Sequence, residues 1–387
     1  MIKQSKKKTV ILSISIVLML IVIGVLVAIS FSDKPEETET NVLNKFDDVR
    51  YFQDSRHSNK LDISDWDLAA QDNMSEVLPL VRFNEDTVWP KGDKMPKNFN
   101  PKKVLERAKN PGLGIRDLHK EGIDGSGISI GVIDQPIYIS HPEYAERIVE
   151  YKEFGESSIV GSSLGTGTMS ILAGKDCGVA PGCSVYYAAV AAEKLDVYFY
   201  SEAVKWFVEL NKTLEKDKQI KIIVVPVRLD GDDTPYKENN GLWQEALDKA
   251  EKAGIIVYDC SVRNRFGACY IDSNDADDFK KVKPGYPQDE TKDSSSQKVL
   301  LPISPYTVAE EYEKGTYRYQ YIPSTAIIWT PPYAAGLTAL AMQCGGEKYS
   351  KDQLFDFMYE SAYVLKDGLK EYRVIDPAEF IKIIKSK

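Results

Sequence analysis

Residues 9–31 contain no charged residue and are dominated by Ile, Leu and Val. At ~1.5 Å rise per residue a helix of that length spans about 34 Å, enough for a hydrocarbon core of about 30 Å. Lys3, Lys6, Lys7 and Lys8 precede the run, and Asp33, Glu36, Glu37 and Glu39 follow it. A basic flank stays in the cytoplasm, so the pattern predicts a single-pass transmembrane helix at 9–31. It leaves a cytoplasmic tail at 1–8 and everything after residue 31 outside, at the plasma membrane. A cleaved signal peptide competes with this reading, since Ala28 and Ser30 offer a small-residue cleavage site. Its apolar region is normally shorter, about 7–15 residues.

After the anchor, residues 32–45 are acidic, Thr-rich and without apolar periodicity, the signature of a flexible tether. Residues 46–110 are an irregular, propeptide-like lead-in, with a short strand at 77–81 and a helix at 103–109. From 111 to 387 the pattern becomes regular. Strands at 128–133, 185–190, 220–227 and 255–258 alternate with helices at 168–173, 201–214 and 242–253. Such alternation implies βαβ units and a parallel sheet. The strand at 220–227 (IKIIVVPV) is apolar at nearly every position, which suits a sheet buried on both faces. A polar loop at 272–297 follows, then strands at 299–303 and 317–322 and helices at 333–344, 351–364 and 378–384.

Charge narrows the partners. The chain has 49 basic and 58 acidic residues; removing the four N-terminal lysines leaves 45 against 58, a net −13 for the exported part. That balance argues against nucleic acid and anionic lipid, which reward Lys- and Arg-rich faces. The five cysteines, at 177, 183, 260, 269 and 344, are odd in number, so at least one is unpaired within the chain. No CxxC pair or Cys/His cluster points to zinc. Only three histidines occur, at 57, 119 and 141.

Three segments carry the candidate chemistry. In the first, a turn containing Gly125, Ser126 and Gly127 leads into ISIGVIDQPI, followed by His141, Pro142 and Glu143. The second runs from Leu164, Gly165, Thr166, Gly167 and Thr168 through Ala173 and Gly174 to Gly178, Val179, Ala180 and Pro181. The third is IIWTPPYAAG, from Ile327 to Gly336. In this order they resemble the catalytic segments of the subtilisin-like serine peptidases (subtilases), and the resemblance covers roughly residues 112–386. It implies an α/β, three-layer fold with a mostly parallel sheet flanked by helices, here preceded by one transmembrane helix. It places the triad aspartate at Asp134. No cofactor is implied, and structural calcium sites are left open.

The departures from the family pattern decide the function. Alignment on Gly165 and Thr166 puts Leu164 where the family has its histidine. Alignment on Ala335 and Gly336 puts Ile328 where it has its serine. A serine nucleophile needs a base within hydrogen-bond reach, and the base needs an orienting acid. Leucine cannot accept a proton, and isoleucine offers no nucleophile. Asn264, a few residues past the 255–258 strand, is a weak candidate for the oxyanion-hole asparagine, because the small-residue run usual there is missing. His57, His119 and His141 lie off the segment that presents the triad histidine, and Ser162, Ser163 and Ser324 flank the altered positions. The residues thus imply a catalytically inactive pseudopeptidase that binds peptide or protein. The alternative is an active serine-type endopeptidase with an unorthodox site. A tethered binding module unrelated to proteolysis is a third possibility.

Overall fold

The structure, a computed structural model, describes residues 62–69, 81–231, 234–272, 274–285, 297–323 and 327–387. The expected tail 1–8, anchor 9–31 and tether 32–45 lie outside the described residues, as do His57, Ser324 and all of the 77–81 strand but Val81. Among the described residues no helix is long and apolar enough to cross a membrane.

In chain order the elements begin with β1 (Phe83–Asn84), α1 (Pro101–Arg107), α2 (Ile115–Lys120), β2 (Ser129–Asp134), β3 (Ile148–Phe154) and α3 (Ser163–Ala173). They continue with β4 (Ser184–Val190), α4 (Val197–Asn211), β5 (Ile220–Val225), α5 (Gly241–Lys252) and β6 (Ile256–Asp259). Next come β7 (Phe266–Tyr270), β8 (Lys283–Pro284), β9 (Val299–Ser304), β10 (Tyr306–Glu310) and β11 (Arg318–Ile322). The chain ends with α6 (Thr330–Gln343), α7 (Lys351–Ser361), β12 (Tyr363–Asp367), β13 (Lys370–Val374) and α8 (Pro377–Ser386).

The central sheet is parallel throughout, in the order β3-β4-β2-β5-β6. Successive side chains of a strand point to opposite faces, and here both faces are buried. Ile130 and Val132 of β2, Val185 and Tyr187 of β4, and Ile222 and Val224 of β5 join one core with Met169 and Leu172 of α3 and Tyr333 and Leu337 of α6. Ile133, Ala188, Ile223 and Val257 enter a second core with Val204 and Phe207 of α4 and Trp243 and Ala246 of α5. The result is a mixed α/β fold with helices on both sides of a parallel sheet. The chain runs from β2 outward to β3, returns to β4 beside β2, then crosses to β5 on the other side. Asp134 therefore ends the strand at which the winding reverses, where ligands of open α/β sheets bind.

Two further sheets flank this body, β12-β13-β9-β7-β8 and β1-β11-β10. The second draws in the lead-in. Phe83 and Asn84 pair antiparallel with Tyr321 and Gln320, and Phe83, Leu105 and Tyr321 share a small core with Ile63 and Leu68. Arg318 reinforces this junction through Asp65 and Asp86, each at 2.6 Å, and lies 3.2 Å from the buried Glu310, which also accepts from the Asn84 amide at 2.9 Å. Arg318→Ala removes the cation from that acidic group. Hydrogen exchange is expected to speed up at the amides of residues 83–85 while those of β2 stay protected; equal protection in the variant would show that apolar packing alone holds the lead-in.

Candidate functional site

Asp134 closes β2 with its side chain buried. One carboxylate oxygen accepts the Gln135 N–H at 2.7 Å, and the other accepts the Thr168 hydroxyl at 2.8 Å. Burial pushes its pKa up to about 6, against the pull of those two hydrogen bonds. No cation contributes to that balance. Thr168 is the functional neighbour that the sequence reading missed. The clue was its spacing, four residues after Leu164, which puts both on one face of a helix.

Helix α3 starts at Ser163 rather than at 168. Ser162 caps it, accepting from the N–H groups of Leu164 and Gly165 at 3.1 and 3.3 Å, and its own hydroxyl donates to the Gln135 side chain at 2.5 Å. All of the Ser162 hydroxyl is thereby spent on structure. Gly165 is needed for close approach: a Cβ there would stand 2.5 Å from Ile137 and 2.6 Å from the Tyr187 hydroxyl. The amino end of α3 is thus pressed against the loop leaving β2, with Leu164 on the outside and 44% exposed.

The third segment meets the second. A Cβ on Gly167 would lie 3.1 Å from the Trp329 ring, so the turn Ile327–Trp329 packs directly on α3. Ile328 is half-buried against the main core, while Ile327 is 41% exposed. The segments that carry the positions matched to base and nucleophile therefore meet on α3, whose Thr168 bonds Asp134, and both positions carry aliphatic side chains.

The remaining candidates are engaged elsewhere. Asn264 is buried, and its side-chain amide donates to the Asp259 carbonyl at 2.6 Å and to the Asp259 carboxylate at 2.7 Å. Both amide hydrogens are used, which leaves no donor for an oxyanion. The Nε2 atom of His119 bonds the Val179 carbonyl at 2.9 Å. In His141, Nδ1 accepts the Glu143 N–H at 3.1 Å, so Nε2 carries the proton and donates to the Arg318 carbonyl at 3.1 Å. Burial lowers the pKa of both histidines. Among the described residues no histidine is bonded to a serine hydroxyl.

All five cysteines are unpaired. Cys260, just past β6, has its thiol pushed up by burial and then by Asp259 and Asp134, the reverse of nucleophile activation. Among the described residues no group of three or more His, Cys, Asp or Glu side chains could hold a metal ion.

Comparison with known proteins adds a limited likeness. No family model matches the chain. A stretch of 111 residues is 31% identical to the Subtilisin-like protease PopC of Myxococcus xanthus (strain DK1622), covering 26% of this chain and 23% of that protein. The match thus spans about a quarter of the curated relative's length. Among solved structures, the Prenylagaramide maturation protease PagA matches with a TM-score of 0.49 and 17% identity, over 71% of this chain and 99% of that one. Part of the chain is therefore similar to a subtilisin-like protease.

Proposed function

We propose that this chain is a membrane-anchored, extracytoplasmic subtilisin-like domain that binds peptide or protein without cutting it. One observation carries the proposal: the Asp134 carboxylate is bonded by the Thr168 hydroxyl and the Gln135 N–H and by no imidazole among the described residues, where a working triad would present the acid to a histidine. Leu164 and Ile328 stand at the positions matched to base and nucleophile, so neither proton transfer nor attack has a group to perform it. The exposed side chains of Leu164 and Ile327 give this end of the sheet an apolar lip, suited to holding side chains of a bound segment. The uncharged run at 9–31, with lysines before it and acids after it, supports the anchor and its orientation.

The test is labelling of the full-length chain with a fluorophosphonate probe, which reacts only with an activated serine. No labelling is expected, in the native chain or in Asp134→Ala. Labelling that disappears in Asp134→Ala would overturn the proposal in favour of an active serine endopeptidase with an unorthodox site.

A further inference from the structure

A crevice of about 430 Å³ opens far from Asp134, where α1, α2 and the loop after α3 meet. Leu164 is at the amino end of α3 and Lys175 just past its carboxyl end, so the helix, about 16 Å long, separates the two places. The crevice walls carry Lys109, Arg116, Lys120 and Lys175, with Glu106 and Asp176 among them and Asp117 paired to Lys120 at its edge, which leaves one positive charge in excess. This stands out on a chain whose net charge is −9.

The cations are not equally committed. Lys109 is nearly buried, held by Glu106 at 2.8 Å and lying 3.8 Å over the Tyr319 ring. Lys120 is paired with Asp117 at 2.7 Å. Arg116 uses one guanidinium N–H on the Asp176 carbonyl at 3.0 Å, which fixes its plane and leaves its other donors open. The Lys175 ammonium has no ion-pair partner among the described residues; the hydrogen bond its backbone N–H donates to the Glu143 carbonyl, at 2.8 Å, anchors the loop beneath it. An oriented guanidinium and an uncommitted ammonium, the two wall cations that no carboxylate pairs among the described residues, suit a compact tetrahedral dianion.

We propose that this crevice binds a phosphate dianion, free or as a small phosphomonoester, with Arg116 and Lys175 as its principal ligands. The site is independent of the peptide-binding proposal, since it uses none of the residues around Asp134.

Equilibrium dialysis of the full-length chain at fixed ionic strength tests this, with labelled inorganic phosphate as one probe and labelled glycerol phosphate as the other. Saturable uptake is expected, weakened about tenfold or more in Arg116→Ala/Lys175→Ala, the loss that follows removal of charged hydrogen bonds. Both side chains are exposed, so the variant should keep the native thermal melt. If it does not, the single variants and Arg116→Lys, which keeps the charge but loses the fork, carry the comparison. Lys249→Ala, on the exposed face of α5, should bind as the native chain does. Tighter uptake of glycerol phosphate assigns the site to a monoester, and tighter uptake of phosphate assigns it to the free ion. Absence of saturable uptake of both probes, or uptake unchanged by the double substitution, would overturn the proposal.

Discussion

Glu143→Ala is expected to cost the fold about 3–4 kcal/mol, because a buried acceptor that serves three donors is lost at once. Glu143 is 2% exposed. One carboxylate oxygen accepts the N–H groups of Asp176 and Cys177 at 2.9 and 2.8 Å, and the other accepts the Tyr319 hydroxyl at 2.7 Å. Its carbonyl takes the Lys175 N–H at 2.8 Å, and its own N–H goes to His141. The His-Pro-acid step that looks chemical in the sequence is thus a brace joining the loop after β2, the loop after α3 and strand β11. Alanine strands one buried and two part-buried donors and leaves a void. Glutamine keeps the volume and one good acceptor, so its loss should be about half as large. Urea denaturation gives the global cost. A local readout comes from Cys177, whose thiol is buried and pushed well up by burial and by Glu143. The alanine variant should expose one more thiol to a disulfide reagent under native conditions than the parent does. An unchanged midpoint with unchanged thiol count would mean that the three donors find water without cost, and the brace would be incidental.

What the sequence disclosed, and what it hid, follows from where each signal resides. Strands β2, β4, β5 and β6 were legible because they are buried on both faces and their apolar residues leave little choice of element. The helix expected at 333–344 begins three residues earlier, ahead of Pro331 and Pro332. In the first turn of a helix the missing N–H has no intrahelical partner to lose, so α6 begins at Thr330. Helix α4 likewise starts at Val197 rather than 201. The run VYFY favours a strand locally, but Asp196 caps it, and Val197 and Tyr200 are buried in the core while Tyr198 stays exposed. The helix expected across 351–364 ends at Ser361, and Tyr363 opens the β12–β13 hairpin, which carries too many charges to read as strand. Strand β3 escapes the pattern for the same reason: three of the seven residues of IVEYKEF are half-buried and the other four are exposed. At the candidate site, the identities of Leu164, Ile328 and Asp134 could be read from alignment of short motifs. Their surroundings could not. That Thr168 would take the Asp134 carboxylate is hinted at by its helical spacing from Leu164 and no more, and that Asp259 would occupy Asn264 depends on how the turn after β6 folds back.

Asp134→Asn is expected to stabilise the protein at neutral pH, by up to about 3 kcal/mol, and to change little near pH 4. The sign follows from the direction of the shift. In the fold this carboxyl titrates near 6 because it is buried, against an ordinary value of 3.8. Between those values the native state holds the proton more tightly than the unfolded chain does. Stability is therefore lost as pH rises from about 4 to about 6, and the whole penalty of an ionised, buried carboxylate persists above that. Asparagine keeps both contacts: its carbonyl accepts the Gln135 N–H, and its amide donates to the Thr168 hydroxyl, which can turn to accept. It carries no charge to desolvate, so the advantage of the variant should open over that pH interval and then level off. In a triad the imidazolium offsets the cost of the buried acid and gives it a purpose. Here the partner is a neutral hydroxyl, which offsets little. Urea midpoints of the native chain and the variant, measured at pH 4, 5, 6 and 7.5, decide the matter, with values chosen to bracket the titration near 6. Parallel curves would mean that Asp134 is compensated by a cation, and the case for a site emptied of its base would fail with them. Diverging curves would identify Asp134 as a charge held at a net cost, at the strand end where open α/β sheets in general bind ligands.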